Sequence, residues 1–181
     1  MAVTSRPVVK TAAHGPVIPG LLVTVHGRGV LLEGPSGAGK SDTALALLDR
    51  GHALVADDAV QLRREGDRLL GTGPQQGRGL LHLRDLGLVD VTELYGPEAF
   101  RNEAAVALCI QLQPTPGTTE AEAALHGRRD HRRLLELSLP RITLTDSHRR
   151  PLAPLVEAAS SSRAAVSVAH HGARSDRGVP A

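Results

Sequence analysis

The run Gly34-Pro35-Ser36-Gly37-Ala38-Gly39-Lys40-Ser41 fits the pattern G-x-x-x-x-G-K-[ST] residue for residue, and its chemistry is anion capture. Glycines at 34, 37 and 39 let the main chain turn so that successive N–H groups face one anion. A helix starting at the end of the loop adds the positive end of its dipole at the same point. Lys40 is then placed to bridge the outer phosphates of a nucleotide, and the Ser41 hydroxyl to ligate Mg²⁺. A glycine-rich turn that matches by chance is the competing reading. The apolar strand before the loop and the patterned helix after it favour a site for ATP-type phosphates and Mg²⁺.

The second feature is the pair Asp57-Asp58, which follows the short apolar run 53–56. Carboxylates at the end of the next strand should reach the same sheet edge as the phosphates. One can hold Mg²⁺ or its waters, and the other can accept a proton from a substrate hydroxyl as a phosphoryl group moves. Asp is also common in solvated turns and helix caps. The short separation from the loop favours the functional reading.

These residues need a scaffold, and hydrophobic patterning supplies one. Residues 21–25 and 29–33 read as strands joined by a turn at His26-Gly27-Arg28. Residues 41–49 read as a helix, with Ala44, Leu45, Leu47 and Leu48 at helical spacing and Arg50-Gly51 as its stop. A strand at 53–56 and a hairpin of 60–64 and 68–72 follow, then a Gly/Pro/Gln-rich loop at 73–79. Residues 80–83, 86–91 and 104–112 are strand-like. Residues 120–133, with Arg128, Arg129, Arg132 and Arg133 around Asp130, are expected to be either a mobile loop or a solvated helix. Runs at 134–137 and 142–145 could be strands flanking Pro140, and 152–169 looks like an alanine-rich closing helix. Residues 1–17 are expected to be a flexible lead-in, 18–169 the domain, and 170–181 a tail.

Composition narrows the function. A chain of 181 residues suits one domain, and a 41% hydrophobic content built on Leu, Val and Ala can form a core. One Tyr, one Phe and no Trp leave little for stacking on bases, so a role in binding nucleic acid is not expected. The formal charge of +2 suits phosphates or an acidic partner. Cys109 stands alone in an apolar run and reads as an inert buried thiol. No signal-like region and no long apolar run occur, so a cytoplasmic protein without membrane spans is expected. The nine histidines are scattered without ligand spacing, so no zinc site is expected, and His52 reads as structural.

The loop with its continuation Asp42-Thr43-Ala44-Leu45, followed by Arg50-Gly51-His52-Ala53-Leu54-Val55-Ala56-Asp57-Asp58, resembles the bacterial HPr kinase/phosphorylase family. The likeness continues in Leu81-His82-Leu83-Arg84-Asp85-Leu86-Gly87-Leu88-Val89-Asp90-Val91, in Leu139-Pro140-Arg141-Ile142-Thr143-Leu144, and in Arg150 with Leu152-Ala153. The resemblance implies an α/β fold, a P-loop kinase domain with a mixed β-sheet of the HPr kinase / PEP carboxykinase-like type. It implies a kinase domain alone, since full-length members usually carry a further N-terminal domain. It also implies ATP-dependent phosphorylation of a serine in HPr, the phosphocarrier of the sugar phosphotransferase system, and assembly as a homo-oligomer.

Carried across position by position, the resemblance makes Lys40 and Ser41 the phosphate and Mg²⁺ residues. Asp58 becomes the proton-exchanging aspartate beside Asp57, Arg84 falls in the segment that the family uses in both reaction directions, and Arg150 falls on the arginine of the later loop that the family associates with dephosphorylation. The family's active-site histidine falls on Pro19, followed by the matching Gly20, unless an insertion brings His14-Gly15 into play. His82 stands where the family has a Mg²⁺-supporting glutamate, and Arg128 or Arg129 could serve as a further active-site arginine. Imidazole is a poor partner for a hard ion, so forward kinase activity with a weakened phosphorylase reaction is expected. Two alternatives stand beside this: a kinase of the same fold with another acceptor, and a nucleotide-binding regulatory module with little catalysis.

Overall fold

The computed structural model describes residues 15–114, 128–146 and 151–161. The first strands are β1 (Val17–Pro19), β2 (Leu21–Val25) and β3 (Arg28–Glu33). A two-residue turn joins β2 to β3, and His26 (φ 50°) and Gly27 (φ 75°) both adopt left-handed backbone there. That combination matches the right-handed twist of paired strands. Then follow α1 (Lys40–Leu48), β4 (Ala53–Ala56), and a hairpin of β5 (Ala59–Glu65) and β6 (Arg68–Thr72). A smaller hairpin of β7 (Leu80–Leu83) and β8 (Gly87–Asp90) leads into α2 (Val91–Tyr95). The chain continues through the long β9 (Glu103–Pro114), the hairpin of β10 (Arg129–Leu134) and β11 (Leu137–Asp146), and α3 (Ala153–Ser161).

Nine of these strands form one mixed sheet in the order β1-β5-β6-β9-β3-β2-β4, with β11 also along β9 and β10 beyond it. β3 and β4 are each antiparallel to β2, and β9 runs parallel to β3 and to β11. The C-terminal ends of β4, β3, β9 and β11 therefore point to one sheet edge, where open α/β sheets place their ligands. Period-two alternation divides the core. Leu21, Val23, Val30, Leu32, Leu108 and Ile110 pack with Leu47 of α1 and Val156 of α3. Leu22, Leu31 and Cys109 face the other way, onto Val60, Leu62 and Leu69 of the β5–β6 hairpin. Strands covered on both faces read as continuous apolar runs, and each fully buried Leu stabilises the fold by about 1.5–3 kcal/mol.

The strands expected at 21–25, 29–33, 53–56, 80–83 and 104–112, the 60–72 hairpin and the loop helix are all present. Four details differ. The lead-in does not extend to residue 17, because Leu62 N–H donates to Pro16 C=O at 3.0 Å and β1 pairs with β5. The strand expected at 86–91 stops at Asp90, whose carboxylate accepts from Thr92 N (2.8 Å) and Glu93 N (3.4 Å) and so caps α2. The arginine-rich segment is neither loop nor helix at 129–133. It is β10, with alternate residues turned inward and outward, and residues 134–137 form its hairpin tip through Leu135 and Glu136 at positive φ. Pro140 lies inside β11, opposite His131, while β9 joins β11 only from Arg141 onward. A residue lacking an N–H is tolerated where one side is unpaired. The closing helix is described as Ala153–Ser161, and residues 1–14 and 162–181 lie outside the described residues.

Candidate active site

Gly34 leaves β3 at φ 149°, pressed against the neighbouring strand, so that a Cβ there would stand 2.5 Å from the Leu112 carbonyl oxygen. Only glycine fits. Gly37 (φ 79°) and Gly39 (φ 81°) turn the loop through left-handed backbone, and Ala38 N–H closes it onto Pro35 C=O at 3.2 Å. Gly39 is the N-cap of α1, and its carbonyl accepts from Thr43 N (2.9 Å) and Thr43 Oγ1 (2.6 Å). The loop is thus fixed to the first turn of a nine-residue helix. Lys40 Nζ donates to the carbonyls of Gly34 (2.9 Å) and Pro35 (3.0 Å), which holds the ammonium over the loop. Ser36 and Gly37 are exposed, and Ser41 is half-buried.

β4 delivers the aspartates to the same edge. Leu22 lies opposite Ala56, while Leu21 lies opposite Leu32, so only the start of β2 separates the two strand ends. Two strand spacings amount to about 10 Å. Gly20 N–H donates to the Asp58 carbonyl at 3.1 Å, and Pro19 pairs with Ala59. The position on which the family's histidine falls is therefore beside the aspartate pair. Asp58 has φ 59° and is exposed.

Asp57 is partly buried and accepts two main-chain bonds, from Asp58 N to Oδ1 (3.0 Å) and from His82 N to Oδ2 (2.7 Å). Burial pushes its carboxyl above the ordinary range, while the two amides pull the other way. This carboxylate ties β7 to the end of β4. Two residues on, the same hairpin carries Arg84, whose Nη2 would lie 3.3 Å from a Cβ added at Gly37. An ammonium, a guanidinium, a nest of amides and two carboxylates thus converge, the parts that phosphoryl transfer requires. The His82 imidazole is exposed.

One buried carboxylate beside the loop has no counterpart among the residues expected from the sequence. Glu33, buried at the end of β3 directly before the loop, accepts from Arg132 Nε (3.2 Å) and Nη2 (3.1 Å) through Oε1, and its Oε2 has no partner among the described residues. Its signal was a lone carboxylate closing an apolar run. Arg141 grips Asp130 with two bonds of 2.7 Å, which hold the Asp130 carboxyl below its usual range. Arg128 lies 3.8 Å from Asp130, and Arg129 pairs with Ile142 on β11. Arg150 and His14 lie outside the described residues.

A family model described as HPr Serine kinase C-terminal domain matches residues 10–175. Among curated relatives, the HPr kinase/phosphorylase of Halalkalibacterium halodurans is 40% identical over 151 residues, 83% of this chain and 47% of that protein. That of Caldanaerobacter subterraneus subsp. tengcongensis is 42% identical over 144 residues, 79% of this chain and 47% of that protein. The solved structure of the Hpr(Ser) kinase/phosphatase from Coxiella burnetii is similar with a TM-score of 0.70 and 28% identity, covering 81% of this chain and 88% of that one. The chain spans about half the length of the curated relatives it matches. The fold is the mixed-sheet α/β P-loop kinase fold that the family resemblance implies. With the phosphate loop, the aspartates and Arg84 gathered at one sheet edge, the chain belongs to the HPr serine kinase C-terminal domain family.

Proposed function

We propose that this chain is an ATP-dependent serine kinase that phosphorylates HPr or a related phosphocarrier protein. The observation that carries the reading is the convergence of Lys40, Asp57-Asp58 and Arg84 on the loop from three separate elements. The loop amides from Gly34 to Ser41 and the Lys40 ammonium hold the outer phosphates of ATP. Ser41, Asp57 and Asp58 make an all-oxygen donor set that suits Mg²⁺. When bound, the ion neutralises phosphate charge. Arg84 adds positive charge above Gly37, and the resemblance gives Arg150 a similar task on acceptor or transferred phosphate. As the serine Oγ bonds to the γ-phosphorus, the bond to the bridging oxygen breaks. The hydroxyl proton passes to the Asp58 carboxylate, which is exposed and left unpaired by the described residues. Asp57, held by two amides, orients the hairpin that brings in Arg84.

Pro19 beside the aspartate pair and the imidazole at His82 deprive a second phosphate of groups that would hold it, so the phosphorylase direction is slow. Assembly as a homo-oligomer and a cytoplasmic location belong to the same proposal. No helix among the described residues is long and apolar enough to cross a membrane. The test is incubation with γ-labelled ATP, Mg²⁺ and purified HPr, read by mass spectrometry. A phosphoserine on HPr supports the proposal, and nucleotide binding without transfer overturns it. Pro19 and His82 also favour a second reading, the same chemistry on a different acceptor. It predicts a dominant phosphoserine on another protein of a matched lysate.

A further inference from the structure

At the far end of β2 from the phosphate loop, three side chains from separate elements meet. His26 comes from the β2–β3 turn, His52 from the corner between α1 and β4, and Glu157 from α3. The five residues of β2 put this place about 17 Å from the edge that carries the loop, at 3.3–3.4 Å per residue. His52 Nε2 lies 2.8 Å from Glu157 Oε1, and the two imidazole rings meet edge to face with centroids 4.9 Å apart. One donor atom from each of the three residues lies within 4.8 Å of the others.

We propose that His26, His52 and Glu157 form a zinc-binding site, separate from the nucleotide site. Two imidazole nitrogens and a carboxylate oxygen are the three-ligand pattern that leaves zinc a fourth position for water. Tetrahedral bonds of ~2.1 Å hold ligand atoms about 3.4 Å apart, so a modest rotation of the exposed His26 ring closes the set. His52 Nε2 and Glu157 Oε1 need only open from their 2.8 Å hydrogen bond to that spacing. The side chains of His52 and Glu157 are only 9% and 17% exposed, and Arg50 Nη2 donates to Glu157 Oε2 at 2.6 Å. That bond fixes the carboxylate and leaves Oε1 towards the histidines, the arrangement that outer-shell partners impose on metal ligands. All three residues line an open cleft of about 750 Å³, which gives an ion an entry path. Imidazole selects zinc over Mg²⁺, so the two ions sort to opposite ends of β2. The fold, not the sequence spacing, brings these histidines together.

The experiment is calorimetric titration of the intact chain with ZnCl₂ in excess Mg²⁺, with His26→Asn alongside. Asn tolerates the left-handed turn that residue 26 requires. One zinc per chain is expected, with His26→Asn weakening it at least about tenfold, and a zinc-dependent rise in the unfolding midpoint that the variant loses. Cobalt(II) provides a readout that needs no variant, since the wild-type site should give the intense visible absorption of a four- or five-coordinate ion. No uptake, equal affinity in His26→Asn, or only the weak spectrum of hydrated cobalt overturns the proposal.

Discussion

Replacing each aspartate of the pair by asparagine should separate two roles that adjacent positions in the sequence would blur. In Asp57→Asn the amide group presents one oxygen where the carboxylate presented two. Whichever way it turns, either Asp58 N (now at 3.0 Å) or His82 N (now at 2.7 Å) loses its acceptor. An unmet donor at a partly buried site costs about 1–3 kcal/mol. Burial also raises the carboxyl's pKa, so removing the charge returns part of that cost. The net loss should be about 1–2 kcal/mol, or a fall of about 2–8 °C in unfolding midpoint for a chain of this size. Transfer should fall too, because the hairpin carrying Arg84 loses its tie. Asp58→Asn changes an exposed side chain at φ 59°, a left-handed position that Asn accepts readily. Its stability should stay within about 0.5 kcal/mol of wild type. Its transfer rate should drop by about 10²–10⁴, the usual worth of a general base. Thermal unfolding and labelled-ATP transfer on both variants decide the matter. Equal stability losses, or an Asp58→Asn variant that transfers normally, would refute the division of labour.

Gly34→Ala should lower stability by about 1–3 kcal/mol through backbone strain alone, and more through its 2.5 Å clash with the Leu112 carbonyl. A denaturant melt checks this. Asp130, held below its usual pKa chiefly by Arg141, stabilises the fold fully above the unfolded carboxylate pKa and loses that contribution as pH falls through the folded one. The gap in unfolding midpoint between wild type and Asp130→Asn should therefore be constant near neutrality and close in acid. Burial pushes the Cys109 thiol up to about 12, so it should resist a thiol reagent at pH 8 until the chain is unfolded.

The sheet edge could be read in advance because its strands are covered on both faces and so announce themselves as unbroken apolar runs, from Leu21 to Val23 and from Val30 to Leu32. The loop could be read because glycine at 34, 37 and 39 answers to backbone geometry that no other residue meets cheaply. What escaped depends on contacts distant in the chain. β10 looked like a loop or helix because its arginines suggested a solvated segment. Its partners are Glu33, 99 positions away, and the neighbouring strand β11. Likewise, nothing near Asp57 in sequence shows that its acceptor atoms meet the amide of His82, 25 residues on. Asp90, by contrast, capped α2 through a local Asp-Val-Thr-Glu signal that an alternating apolar pattern had masked.

The central claim is that the loop grips a triphosphate with Lys40 as its charged arm. Calorimetry of Mg·ATP binding to wild type and Lys40→Ala tests it directly. Hydrogen bonds to a charged group contribute about 1.5–3 kcal/mol, so binding by the variant should be about 10- to 100-fold weaker. Wild-type protein indifferent to the nucleotide, or a variant that binds it equally well, would contradict the account.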